Sequence, residues 1–198
     1  HYNTYGTFAV MEFVRKAGSK ILYAGSSTKF GDGNLGRTAS PYAWTKATNT
    51  ELVVNYGNWF NVPYAITYFY NVYGNREINT GKYATLIASF IEKMKAVKPL
   101  TVVSPGKQMR NFTHIDDIIE GLLIVGKYGY GDEFGIGSEE SFSILEIAKL
   151  FGGEIEILPE RNGNRMSADV ITAKTRALGW SPKCSLENYI ASKRAKNW

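Results

Sequence analysis

KILYAGSS (Lys20–Ser27) is a short apolar run rich in strand formers that ends in small hydroxyl residues, the pattern of a buried parallel strand opening into a loop. Ser26 then lies at the carboxyl end of that strand. Upstream, Phe8, Val10, Met11, Phe13 and Val14 follow helical spacing, and Arg15, Lys16 and Gly18 close the pattern as a helix end does. Downstream, the glycine-rich loop FGDGNLGRTAS (Phe30–Ser40) leads into a long helical stretch from Pro41 to about Phe60, with Pro41 in the first turn, where its missing amide is harmless. YAITYFYNVYG (Tyr64–Gly74) reads as the next strand, ending in a turn.

The same alternation continues to the last residue. A helix is expected over Tyr83–Val97, strands over Leu100–Ser104 and Met109–His114, a helix over Ile115–Lys127, and a strand at DEFGIG (Asp132–Gly137). SFSILEIAKLFG (Ser141–Gly152) reads as a capped helix, EIEILP (Glu154–Pro159) as a strand, and SLENYIASKRAKNW (Ser185–Trp198) as a final helix capped by Ser185. Strands alternating with helices imply an α/β fold with a mostly parallel sheet covered on both faces. No internal repeat or low-complexity tract interrupts it.

The 198 residues, 44% hydrophobic and 21% charged, suffice for one sizeable core or two small ones. No apolar run approaches the roughly 20 residues of a membrane-spanning helix, and HYNTYGTFAV lacks the pattern of a secretion signal, so the chain reads as cytoplasmic with no membrane partner. The single cysteine, Cys184, has no internal disulfide partner, and with two histidines it leaves too few soft ligands for structural zinc; no metal site is expected. The net charge of +5 is modest, and the basic residues are scattered except for Lys193–Lys196, which reads as a solvated end rather than a nucleic-acid arm.

The strongest chemical constellation is Ser26 at a strand end followed by Tyr42 and Lys46, four apart on the next helix. Residues at i and i+4 share a helix face, so the Lys46 ammonium can favour ionisation of the Tyr42 phenol. A phenol with pKa near 10 needs that help to accept a proton near neutral pH. A serine hydroxyl opposite can hold the same substrate oxygen. Tyr189 and Lys193 have the same spacing but no strand-end serine before them, and they read as surface residues. His114, Asp116 and Asp117 begin a helix, where carboxylates complement the dipole, and read as a cap rather than a catalytic cluster.

ILYAGSSTKFGDG (Ile21–Gly33), SPYAWTK (Ser40–Lys46), YFYNVYGNRE (Tyr68–Glu77), GKQMRNFTHIDDIIEGL (Gly106–Leu122), FGIGSEESFSILEIA (Phe134–Ala148) and LPERNGN with ALGWSPKCSLE (Leu158–Asn164, Ala177–Glu187) resemble, in order, successive motifs of the extended short-chain dehydrogenases/reductases that act as sugar-nucleotide epimerases and dehydratases. The resemblance implies a Rossmann-like, mostly parallel sheet at residues 1–75 and 109–137 and a smaller α/β substrate-binding lobe at 76–108 and 138–198. Its glycine-rich phosphate turn and ribose-binding acid have no counterpart here, and Asn3 matches a helix position that would place about ninety residues upstream. GYGDEFG leads into a strand rather than a helix, and GIGSEE lacks the third glycine, so neither replaces that turn.

The resemblance further implies NAD as cofactor, a nucleoside-diphosphate sugar as substrate and a homodimer. Tyr42, Lys46 and Tyr70 would face the nicotinamide end, while Ser26, Asn71, Arg110 and Arg161 would contact substrate, the arginines pairing with phosphate oxygens. Tyr42 would take a proton from the sugar 4-hydroxyl as hydride leaves, and hydride would return to the other face of the 4-ketone. Dehydratases carry an acid just after the catalytic serine or threonine; Ser27 and Thr28 are neutral here, which favours 4-epimerisation. Asn164, Asn111 and Tyr68 depart from the usual Asp, Asp and Arg. A reductase or 4,6-dehydratase of the same fold, or a non-catalytic remnant without a dinucleotide site, are the competing expectations.

Overall fold

A computed structural model describes residues 2–27, 37–38, 40–81, 83–160 and 170–198. Helix α1 (Tyr2–Ala17) ends where expected: Gly18 takes φ 62°, its N–H donates to Arg15 O, and the Ser19 N–H reaches back to Val14 O, a paired closure that satisfies the last carbonyls. Strand β1 (Ile21–Ala24) follows. Helix α2 (Pro41–Phe60) starts with Ser40, whose side chain accepts the Ala43 N–H, and stops at Asn61 in the left-handed conformation.

Strand β2 (Tyr64–Phe69) lies between β1 and β7 (Gly131–Ile136), and both ladders are parallel. β2 separates two apolar clusters. Ile66, Tyr68 and Tyr70 pack with Met11, Val53 and Tyr56 of the first two helices, whereas Ala65 packs with Ile118, Val125 and Trp180 around α4 (Ile115–Tyr128). Alternation along the extended backbone sends neighbouring side chains to these opposite clusters. Among the described residues, β1 has a strand on one side only.

Three small ladders complete the fold. β3 (Val72–Tyr73) pairs parallel with β6 (Thr113–His114), β4 (Leu100–Val103) pairs parallel with β9 (Ile155–Leu158), and β5 (Met109–Asn111) pairs antiparallel with β8 (Ser141–Ser143). They pack with α3 (Leu86–Lys95), α5 (Ile144–Phe151) and α7 (Leu186–Ala195) around Tyr73, Phe90, Leu100, Phe151 and Leu186. Short helix α6 (Ala173–Ala177) lies against β7.

Several expectations need correction. The helix expected from Tyr83 starts at Leu86, because Thr85 is extended (ψ 159°) and its hydroxyl donates to Glu77 instead of continuing a turn. The strand expected over Met109–His114 divides at buried Phe112, one half pairing with β8 and the other with β3. The stretch from Ser141 opens as a strand, and only from Ser143, in a reciprocal capping box with Glu146, does it become helix. Tyr189 is no surface residue: its half-buried ring packs against Tyr73 (5.0 Å between centroids) and His114 (5.5 Å), and burial pushes its phenol up to about 12.

His114 does cap α4, its Nδ1 accepting the Asp116 N–H. Asp117 does more than complement the dipole. It is 2% exposed, its carboxylate accepts the Lys183 and Cys184 N–H groups at 3.0 Å each, and its carbonyl accepts the Trp180 indole N–H at 2.9 Å. Asp117→Ala would leave two backbone donors unpaired, and urea unfolding should show a loss of about 3 kcal/mol with an unchanged m-value. Asp117→Asn, which keeps one acceptor, should lose less.

Candidate active site

Gly25 passes directly over the ring of Tyr68: a Cβ there would lie 2.6 Å from Tyr68 Cε1, so only glycine lets the chain turn out of β1 at this point. The next residue is Ser26, at the strand's carboxyl end as expected. It borders a cavity of about 500 Å³ with Arg37, Lys46, Thr50, Glu51 and Asp132. Arg37 and Glu51 form an ion pair across its rim.

Lys46 reaches this cavity from α2. Its Nζ donates to Ala24 O at 2.9 Å and sits 5.1 Å from the centre of the Tyr23 ring. Burial disfavours its ammonium and holds the pKa below the ordinary lysine value. Tyr42, one turn earlier on the same helix, is 53% exposed. The structure therefore brings Ser26 and Lys46 to one cavity, with the ammonium held against the end of β1 and the Tyr42 ring open to solvent. Beneath them Tyr68 donates its hydroxyl to Asp132 Oδ1 at 2.6 Å, and burial with that carboxylate pushes its pKa strongly upward.

Tyr70 lies elsewhere in kind. It is 2% exposed, its hydroxyl accepts the Ile171 N–H at 3.1 Å, and Gly137 packs on its ring. Buried in this way, the Tyr70 ring presents little surface to a ligand.

Asn71 and Arg110, distant in sequence, line a second cavity of about 380 Å³ together with Glu77, Thr101, Gln108 and Phe112. The short β3–β6 ladder is what joins them: Asn71 O accepts the Thr113 N–H at 3.4 Å, and Asn71 Nδ2 donates to Asn111 O at 2.8 Å. Arg110 Nη1 donates to Met109 O at 2.7 Å. Burial raises the pKa of Glu77, whose carboxylate accepts the Thr85 hydroxyl (2.7 Å) and the Gly74 N–H (3.2 Å). Arg161, Thr28 and Asn164 lie outside the described residues.

Sequence reasoning missed Tyr23, Glu77, Gln108 and Asp132. Two of these carried a usable signal. Tyr23 shares the Ile21 side of β1, whose exposure alternates, and Gln108 precedes Arg110 by the two-residue period that puts extended side chains on one side. Among the described residues no group of three His, Cys, Asp or Glu side chains converges on a metal position, and no helix is long and apolar enough to cross a membrane.

Residues 1–137 match the NAD dependent epimerase/dehydratase family model. UDP-glucuronic acid decarboxylase 2 of Arabidopsis thaliana is 29% identical over 93% of this chain and 45% of its own length. The solved structure of UDP-glucuronic acid 4-epimerase from Bacillus cereus, in complex with UDP-glucuronic acid and NAD, superimposes with a TM-score of 0.83 at 26% identity over 98% of this chain and 67% of that one. UDP-glucose 4-epimerase from Thermotoga maritima, with UDP-glucose, shares the fold at a TM-score of 0.86 and 22% identity, over 98% and 70% of the two chains. The chain thus spans about half the length of the plant relative it matches. Six ordered motifs, a parallel β1–β2–β7 sheet and a family match over residues 1–137 converge: the chain belongs to the NAD-dependent epimerase/dehydratase family.

Proposed function

We propose that this protein epimerises a nucleoside-diphosphate sugar at carbon 4 through a transient 4-keto sugar, with NAD as a resident cofactor. The observation that carries the reading is the meeting of Ser26 and Lys46 in one cavity, one helical turn from Tyr42, with a neutral Ser27 where elimination would need an acid. NAD, when bound, accepts hydride from the sugar and returns it. The cation-bearing end of the Ser26 cavity suits the ribose hydroxyls beside a nicotinamide, with Lys46 as their donor.

In this reading the chain's own residues do the proton work. Ser26 holds the sugar hydroxyl, Tyr42 accepts its proton, and the Lys46 ammonium stabilises the phenolate that acceptance requires. Asn71 and Arg110 hold the diphosphate in the second cavity. Residues 1–75 and 109–137 serve the cofactor and residues 76–108 and 138–198 the sugar nucleotide. The exposed aromatic side chains of the first two helices, Tyr5, Phe8, Trp59 and Phe60, suit a homodimer interface. A cytoplasmic setting belongs to the same reading.

One observation favours a second reading. The plant relatives are UDP-glucuronic acid decarboxylases, and a 4-ketone formed from a uronic acid loses its carboxylate readily, since the ketone accepts the electron pair. Incubation with NAD and UDP-glucuronic acid separates the two. Appearance of the 4-epimer without carbon dioxide supports epimerisation, whereas stoichiometric carbon dioxide release replaces it with decarboxylation.

Two outcomes test the residue roles. Tyr42→Phe should reduce turnover at least about 100-fold with little change in KM, the size of a lost general base. Because burial lowers the Lys46 pKa, the proton leaves Lys46 at lower pH than from an ordinary lysine, and turnover should fall on the alkaline side below pH of about 10.4. Lys46→Arg should move that limb upward. In binding, Arg110→Ala should weaken UDP by about tenfold or more in titration calorimetry.

A further inference from the structure

Among the described residues the ammonium of Lys46 has no carboxylate partner. The acids that share its cavity are engaged elsewhere: Glu51 pairs with Arg37, and Asp132 accepts the Tyr68 hydroxyl. Tyr42, one turn earlier on α2, is the other titratable group beside it. What Lys46 does have is Ala24 O at 2.9 Å and the face of Tyr23, with Nζ 5.1 Å from the ring centre. That is inside the roughly 6 Å over which the negative face of an aromatic ring attracts a cation, and the attraction strengthens where water is excluded. Consecutive residues of β1 thus present a ring and an acceptor to the same amine.

Tyr23 is held firmly in that pose. It is 9% exposed and packs with Met11, Val53 and Tyr56 of the first two helices. Its hydroxyl end is buried near Asn49 and Thr7 but forms no hydrogen bond of normal geometry. Asn49, three residues after Lys46 on α2, is fixed in turn, its Nδ2 donating to Asn3 O at 2.8 Å and to Thr7 Oγ1 at 3.0 Å. The ring therefore lies along α2 from Lys46 to Asn49, and it serves the amine with its face rather than its hydroxyl. Burial works against the ammonium, and the ring works for it.

We propose that Tyr23 is a positioning residue: its ring face holds the Lys46 ammonium at the end of β1 and keeps that amine charged in a half-buried place beside Ser26. The inference rests on the part given to Lys46 in the proposed reaction, but the contact it names needs neither cofactor nor sugar.

Competitive acetylation of the folded 198-residue chain with acetic anhydride, with Lys46 followed by peptide mass spectrometry across pH, reads the titration of this amine without any ligand. An ammonium that loses an attractive ring gives up its proton at lower pH. Tyr23→Leu should therefore move the Lys46 midpoint down by about 0.5 to 1.5 pH units, while Tyr23→Phe should stay within about 0.3 of the parent. Fluorinated phenylalanines at position 23 keep the ring and its packing but withdraw electrons from its face, so they test the contact without opening a void; the midpoint should fall stepwise as fluorines are added. A midpoint indifferent to fluorination, a rise in Tyr23→Leu, or equal falls in Tyr23→Leu and Tyr23→Phe overturns the role of Tyr23. Where the midpoint falls with the ring, the alkaline limb of turnover should fall with it. A limb that stays in place would leave the hold of Tyr23 on Lys46 standing and overturn instead the part given to Lys46 in the reaction.

Discussion

Strand β2 is covered on both faces, and the positions of both cavities follow from that. Its ladder with β1 sets where Gly25 and Ser26 emerge, and the chain leaving its far end becomes β3, which places Asn71 beside Asn111 and Arg110. Ile66, Tyr68 and Tyr70 belong to one apolar cluster and Ala65 to the other, so a slip of one residue would exchange the two sets and bury the wrong side chains. Tyr68 adds a polar constraint, since its hydroxyl must meet Asp132 from the third strand of the same sheet. The register is thereby fixed twice, once by shape and once by a buried hydrogen bond.

The main sheet was legible because its central strand is buried and therefore reads as an apolar run, and because α2 carries its own punctuation in Ser40, Pro41 and Asn61. The smaller ladders were not. Met109–His114 looks like one strand because extended backbone continues through it, and only the tertiary partners, β8 on one side and β3 on the other, divide it at Phe112. Helix α6 is five residues long and has no side-chain cap hydrogen bond, so the sequence carried no start signal for it. At the site, spacing predicted that Lys46 and Tyr42 share a helix, but not that a backbone carbonyl of β1 would hold the ammonium, since that contact depends on how α2 lies on the sheet.

The two cavities differ in the way they treat charge. Around Ser26 the cations have partners: Lys46 has a carbonyl and an aromatic face, and Arg37 has Glu51. Around Asn71 the carboxylate of Glu77 accepts from Gly74 and Thr85, and the guanidinium of Arg110 lines the same cavity. That division suits a protein in which one region manages protons and another holds an anion.

Every strand pair described here joins segments that are far apart in the chain, and four of the five are parallel. Among the described strands no hairpin offers a place to begin; the helices can form early, yet no ladder closes until a long loop has been drawn together at an entropic penalty. Refolding from denaturant should accordingly be slow for a chain of this size, with the apolar face of β2 open to other molecules until its neighbours arrive. The same buried central strand that orders the finished molecule is its point of greatest vulnerability while it is being made.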